Sequence, residues 1–306
     1  MSLLEDSGKK TRDELNTFLY DGLYLPCPSP FRLSADNPLE QLRSIKTAQM
    51  YDDDIIVCAY MKCGSHWLSQ VLTMLRNGCI QYTELLLSSR MIDFACKKGL
   101  EALPPPRILH THLPLRMLPT QVLEKKIKCV QILRNPKDVC VSLFNHVKNI
   151  APPDTYQGDF HEFTDVFFTK QMPYGRYDDY LLSWKADVSR FPNLPFLSFF
   201  YEDMKVHPLK CVKELRAFLD LDITDAFCEA VVEACSFHKL RMKESEDIKD
   251  GAAVSIWKED SGGAFYRKGE VGDWKNWFTV AESEKFDITW NEKMKGSGLE
   301  FSYSMP

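Results

Sequence analysis

The chain has 306 residues, is 44% hydrophobic and 26% charged, and carries a formal net charge of -5. That length supports one large core or two modest ones, and the apolar fraction excludes wholesale disorder. The mildly acidic balance excludes a non-specific nucleic-acid binder, which needs a surplus of Lys and Arg to neutralise phosphates.

No apolar run approaches the roughly 20 residues a membrane span requires. The N-terminus, MSLLEDSGKKTRDELN, has neither a secretory core nor a cleavage pattern, so the expected location is cytoplasmic. The 10 cysteines include no CxxC pair, and no metal site is expected from them. Several, such as Cys58, Cys129 and Cys140, lie within apolar runs, where a reduced thiol packs as a small hydrophobe.

Residues 1–50 read as an N-terminal arm packing on the rest, with Pro-rich turns around Leu25 to Phe31, and residues 51–306 as one domain. The first strong signal is Ile55 to Tyr60, a continuously apolar run of the kind that forms a strand buried on both faces. It gives way to Lys62-Cys63-Gly64-Ser65 and then to a helical pattern with Trp67, Leu68, Val71, Leu72 and Leu75 spaced to share a face.

The same grammar recurs. Arg107 to His112 reads as a strand entered from Pro104-Pro105-Pro106. Lys128 to Leu133 is another, followed by Arg134-Asn135-Pro136-Lys137-Asp138 and a helix from Val139 to Val147. Leu194 to Tyr201 is a fourth, followed after Glu202-Asp203 by a helix from Pro208 to Leu219. Strands alternating with helices imply an α/β fold, a single domain with a mostly parallel central sheet flanked by helices. Ligands bind such sheets beyond the carboxyl ends of the strands, so Lys62, His112, Arg134 and Tyr201 should converge. Between about 243 and 266 the chain turns polar and Gly/Ser-rich. That stretch reads either as a lid loop or as a plain insertion, the lid being favoured by the basic triplet Arg267-Lys268-Gly269 that follows.

Tyr60 to Trp67 has the form of a phosphate-binding turn, in which Gly64 lets backbone amides approach an anion at a helix start. The lysine precedes the glycine, so the GxxxxGK[ST] pattern is absent. Taken alone, the segment fits an ordinary strand–helix turn with a surface lysine equally well. A lone His at a strand end is likewise compatible with a structural role or with proton transfer.

Five segments appear in order: YMKCGSHWLSQVL, THLPL, LRNPKDVCVSLFNH, YED and RKGEVGDWKNWFTVAESEKFD. Together they resemble the cytosolic sulfotransferase family from about Asp53 to Phe286. The resemblance implies a sulfotransferase domain with a P-loop-like phosphosulfate-binding loop. Its expected co-substrate is 3′-phosphoadenosine 5′-phosphosulfate (PAPS), and its expected acceptor is a small molecule with a hydroxyl or amine.

It assigns Lys62, Cys63, Gly64, Ser65 and His66 to the 5′-phosphosulfate, with Lys62 also catalytic. Arg134, Ser142, Arg267, Lys268 and Gly269 fall to the 3′-phosphate. Trp67, Tyr201, Cys235 and Phe237 fall to the adenine, and His112 to the general base. Lys275, Thr279, Val280 and Glu284 match the family's short dimerisation pattern, implying a homodimer. Phe144 and Trp257 suggest a hydrophobic acceptor pocket.

Four positions depart from the family's commonest pattern. Met61 replaces Pro, Cys63 replaces Ser, Cys235 replaces a hydroxyl residue, and His110 stands where many relatives carry Lys. His110 should supply less charge to the transferring group and so lower turnover.

Overall fold

A strand with no polar position must be covered on both faces, and Ile55 to Ala59 is flanked by strands on either side. The computed structural model describes residues 15, 17–26, 38–83, 90–95, 97–150, 155–249, 257–258 and 265–305. In chain order they form β1 (Thr17–Tyr20), β2 (Leu23–Pro26), α1 (Pro38–Ile45), β3 (Ile55–Ala59), α2 (Ser65–Asn77), α3 (Lys97–Ala102), β4 (Ile108–Thr111), α4 (Gln121–Glu124) and β5 (Lys128–Leu133). There follow α5 (Pro136–Asn149), α6 (Phe160–Val166), α7 (Tyr177–Arg190), β6 (Phe196–Phe200), α8 (Tyr201–Val206), α9 (Pro208–Leu219), α10 (Asp225–Ala234), α11 (Phe237–Lys249) and α12 (Val280–Met294).

The main sheet runs β4-β3-β5-β6, with every neighbouring pair parallel. All of β3 and β4 is buried, as is β5 after its first residue. Cys58 pairs with Thr111, Ala59 with Ile132 and Leu133 with Phe200, so the four carboxyl ends finish side by side.

β1 and β2 form an antiparallel hairpin. Its turn, Asp21-Gly22, takes positive φ at both residues, the conformation that matches strand twist in a two-residue loop. Leu25 and Pro26 therefore end a strand instead of opening the expected turns, and the remainder of that stretch lies outside the described residues. Leu25, Leu42 and Ile45 are buried in the same apolar core as the sheet.

Two further expectations change. Tyr201 to Val206 forms α8, where a short link was expected. Residues 243–249, read as the start of a lid loop, continue α11. Lys and Glu are good helix formers, and Lys243 pairs with Asp247 one turn on at 2.6 Å, so polarity alone misread a solvent-facing helix as a loop. Of the expected lid beyond α11, only Trp257, Lys258, Phe265 and Tyr266 are among the described residues.

Candidate active site

The turn after β3 is built around two unusual backbone conformations. Lys62 has φ 65° and Gly64 φ 107°, both left-handed. A Cβ on Gly64 would lie 2.9 Å from Tyr201 Cδ2, so glycine is needed for both conformation and space. Gly64 is also the N-cap of α2 and has no side chain to occupy the first-turn amides of Ser65, His66 and Trp67.

The Lys62 ammonium lies 5.7 Å from the Phe265 ring and 5.8 Å from the Trp257 ring. Burial lowers its pKa from 10.5 to about 8, opposed by the negative charge of Glu244 and assisted by Arg134 and Arg267. The His66 ring stacks on Phe265 at 4.2 Å. Cys63 points the other way. Its thiol is fully buried, 3.6 Å from the Tyr177 hydroxyl, and burial raises its pKa to about 12. The thiol is a core group, so only the backbone of Cys63 belongs to the turn.

Arg134, one residue past β5, joins three segments. It donates to the Lys62 carbonyl at 3.2 Å and to the Glu270 carbonyl at 3.1 Å, and its guanidinium lies 4.4 Å from the Tyr201 ring centroid. Its Nε is buried with no hydrogen-bond partner among the described residues. Tyr201 meets Trp67 edge-on at 5.4 Å, and the Lys205 ammonium lies 5.9 Å from both Trp67 and Phe237. A Cβ on Gly269 would lie 2.1 Å from Phe237 Cδ2, so that glycine lets the basic triplet pass against the ring.

Trp67 thus lies beside Tyr201, with Lys205 near both Trp67 and Phe237, and Ser142 is half-buried in the second turn of α5. The Cys235 thiol is buried against the Met74 sulfur at 3.7 Å.

Sequence reasoning missed the carboxylates that hold this frame. Asp138 accepts from the amides of Gly272 at 2.8 Å and Trp274 at 2.9 Å, docking the C-terminal segment on α5. Glu202 accepts from the Asn135 amide at 2.9 Å, and Asn135 in turn caps α5 by accepting from the Asp138 amide at 2.8 Å. Asp273 holds Arg267 and Lys268 at 2.6 Å each. Burial pushes the Asp273 carboxyl up, but bonds from Lys268, Arg267 and Asn276 outweigh it and hold the pKa at about 2. Pro after Asn and Asp three residues beyond it signal the α5 cap, whereas nothing local signals Asp273.

His112 follows β4. Its Nδ1 is 2.6 Å from the Ala59 carbonyl, which can only accept, so Nδ1 carries the proton and Nε2 is the proton-accepting nitrogen of the neutral ring. Asp93 fixes the same strand end, accepting from the Thr111 hydroxyl at 2.7 Å and the His112 amide at 2.8 Å. The Tyr174 ring meets His112 edge-on at 5.0 Å.

His110 is buried, with Nε2 at 2.9 Å from the Ser69 hydroxyl. Burial, then the charge of His112, lowers its pKa to about 3, so it is neutral at physiological pH. Phe144, expected at the acceptor pocket, packs instead among Tyr156, Phe160, Phe163 and Trp277 in the core. Two residues along a helix turn a side chain to the opposite face, away from Ser142. His146, one turn after Ser142, meets Trp257 edge-on at 4.8 Å.

In the expected dimer segment, Thr279 caps α12 in a reciprocal pair with Glu282, while Lys275, Val280 and Glu284 are exposed. Among the described residues no group of three or more His, Cys, Asp or Glu could hold a metal ion, and no helix is long and apolar enough to cross a membrane.

Fold and site define an α/β protein with an anion-accepting turn, two cationic side chains and a histidine beyond one edge of a parallel sheet. Residues 52–298 match the sequence model of the sulfotransferase domain. The chain is 34% identical to sulfotransferase 1E1 of Bos taurus over 276 residues, covering 86% of this chain and 90% of the relative. It is 33% identical to sulfotransferase 1B1 of Canis lupus familiaris over 262 residues, covering 81% and 86%.

Among solved structures, mouse sulfotransferase SULT7A1 complexed with PAP superposes with a TM-score of 0.72 at 28% identity, covering 92% of this chain and 96% of that one. A retinol dehydratase in a complex with retinol and PAP shares the fold, with a TM-score of 0.73 at 20% identity over 87% of this chain and 88% of that one. The chain belongs to the sulfotransferase family.

Proposed function

We propose that the protein transfers the sulfuryl group of PAPS to a hydroxyl or amine of a small, hydrophobic acceptor. The observation that carries this reading is the bond from His112 to Ala59, because it ties the proton-accepting ring to the strand whose end carries Lys62. The mouse relative in complex with PAP supports the nucleotide half of the reading. So does the pocket itself, through the unpartnered Arg134 Nε, the uncapped start of α2 and the space kept by Gly269 against Phe237.

PAPS supplies an electrophilic sulfur bonded to a phosphate leaving group. Ser65, His66 and Trp67 offer amides to the 5′-phosphosulfate, and Lys62 neutralises the charge that gathers on the leaving phosphate. Arg134, Ser142, Arg267, Lys268 and Gly269 hold the 3′-phosphate, and Trp67, Tyr201 and Phe237 frame the adenine. His112 Nε2 takes the acceptor proton as the acceptor oxygen or nitrogen bonds to sulfur and the bond from sulfur to the 5′-phosphate oxygen breaks.

In this reading the arm at residues 1–50 is part of the same unit as the sulfotransferase domain, and the protein works in the cytoplasm. Two copies pair through Lys275, Val280 and Glu284. Val280, 77% exposed, supplies the apolar contact and Thr279 the helix cap behind it.

The test is incubation with radiosulfur-labelled PAPS and a panel of phenols, aliphatic alcohols, sterols and arylamines. Labelled product with at least one acceptor is expected. Donor binding with no labelled product from any of them would make the chain a nucleotide-binding relative without transfer activity.

A further inference from the structure

Glu244 is a buried carboxylate to which neither the fold nor the transfer chemistry described above gives a task. It lies on α11 and is 2% exposed. One oxygen accepts from the Phe265 amide at 2.7 Å and the other from the Tyr266 amide at 3.1 Å. Arg241, one turn earlier on the same helix, donates to the carbonyl of Tyr266 at 3.3 Å and to that of Arg267. One helix face thus holds the segment by its donors and its acceptors together.

The segment matters because of what it touches. Phe265 stacks on His66 and lies over the Lys62 ammonium, and the next residues are Arg267, Lys268 and Gly269. The charges acting on Lys62 are Glu244 from α11, Arg134 from the end of β5 and Arg267 from the basic segment, with His66 of α2 also coupled to it. Glu244 is the negative one, and its effect is the largest of the three. Glu244 itself feels Lys62 and Arg241, and burial raises its pKa against the two amide bonds. The Tyr266 phenol is the remaining titratable group coupled to it.

We propose that Glu244 is a positioning residue for sulfuryl transfer, holding Phe265 over the Lys62 loop through the Phe265 and Tyr266 amides while adding one negative charge to the field at the Lys62 ammonium. The inference rests on the reading of Lys62 as the group that neutralises the leaving phosphate. Two functions then reside in one carboxylate: a hydrogen-bonded clamp on the segment, and a charge that keeps Lys62 protonated. A clamp alone would be satisfied by any acceptor of the right reach. A charge alone would tolerate a shorter acid.

The two are separable in the full-length enzyme. Glu244→Gln keeps the length and loses the charge, whereas Glu244→Asp keeps the charge and loses the reach. The measurement is donor kcat/KM against pH at saturating acceptor, with hydrogen exchange at the Phe265 and Tyr266 amides and Tm as a check on folding. Because kcat/KM reports groups of the free enzyme, its alkaline limb follows Lys62.

For Glu244→Gln the limb should move to lower pH, with about a tenfold loss of kcat/KM at the alkaline end of the profile. For Glu244→Asp the limb should stay in place, while the two amides exchange faster and the donor KM rises several-fold, on the order of the loss of one charge-assisted bond. A folded Glu244→Gln enzyme with the wild-type limb overturns the proposal. If that variant does not fold, unchanged exchange and unchanged donor KM in Glu244→Asp overturn it instead. Lys62→Met separates this inference from the reading beneath it. Wild-type transfer by Lys62→Met would sink the assigned role of Lys62 itself, whereas loss of transfer there, with silent Glu244 variants, would sink only the role of Glu244.

Discussion

The proposed donor side and the proposed acceptor side of this site are built by different physics. On the donor side, polar groups meet at hydrogen-bond distance: Arg134 on the carbonyls of Lys62 and Glu270, Asp138 on the amides of Gly272 and Trp274, Asp273 on Arg267 and Lys268. On the proposed acceptor side, rings meet edge-on: Tyr174 with His112, and Trp257 with His146. A hydrogen-bonded charge specifies its partner residue by residue, whereas ring packing specifies a volume and an apolar surface. In the proposed function, donor identity is therefore encoded in named residues and acceptor identity in shape.

His112→Ala tests that division most severely. Transfer should fall about 10³-fold, with affinity for the bisphosphate product unchanged within about twofold, measured by label transfer and equilibrium dialysis. Loss of product binding as well would mean that the two sides are not separable. Gly269→Ala attacks the donor side alone. The new Cβ would strike Phe237 from a backbone with φ 67°, so Tm should fall by the equivalent of about 2 kcal/mol and product binding should weaken about tenfold. Scanning and titration calorimetry read the two effects, and unchanged binding would place Phe237 outside the nucleotide pocket.

The pH profile sharpens the comparison through Lys62. In the proposed reaction its protonated form is the working one, and burial lowers its pKa to about 8, so charge is lost as pH rises. Donor kcat/KM should therefore drop about tenfold per pH unit above that value. In kcat the limb should lie at higher pH, because a bound anion favours the ammonium. A flat kcat/KM up to about pH 10 would contradict the buried setting of Lys62.

The smallest expected effect is at His110, buried against Ser69. Its ring is neutral, so His110→Lys should raise turnover a few-fold, on the order of one added transition-state charge contact. It should lower Tm, since the position is buried. Slower transfer by this variant would show that His110 is better suited to its place beside Ser69 than a lysine is.

Much of the scaffold was legible in the sequence. Ile55 to Ala59 and Lys128 to Leu133 lack polar alternation, which only a strand covered on both faces allows. The ends of those strands, and of β4 and β6, located Lys62, Arg134, His112 and Tyr201 without reference to any fold. What misled was local character read without its surroundings. The charged run from Lys243 to Lys249 is a helix, and Phe144 packs among the aromatic rings of the core.

By itself, then, the sequence determined the parallel sheet and the glycine-capped turn, and it put Lys62 and His112 at strand ends. Each depends on residues close together in the chain, where backbone sterics and hydrophobic periodicity act. Only the tertiary structure decided which carboxylates serve those groups. Asp138 meets Gly272 across 134 residues, and Glu244 meets a segment 21 residues away while acting on Lys62. An acidic side chain in a helix or a turn looks the same in sequence whether it faces water or a buried cation. The difference lies in the desolvation that folding imposes on it.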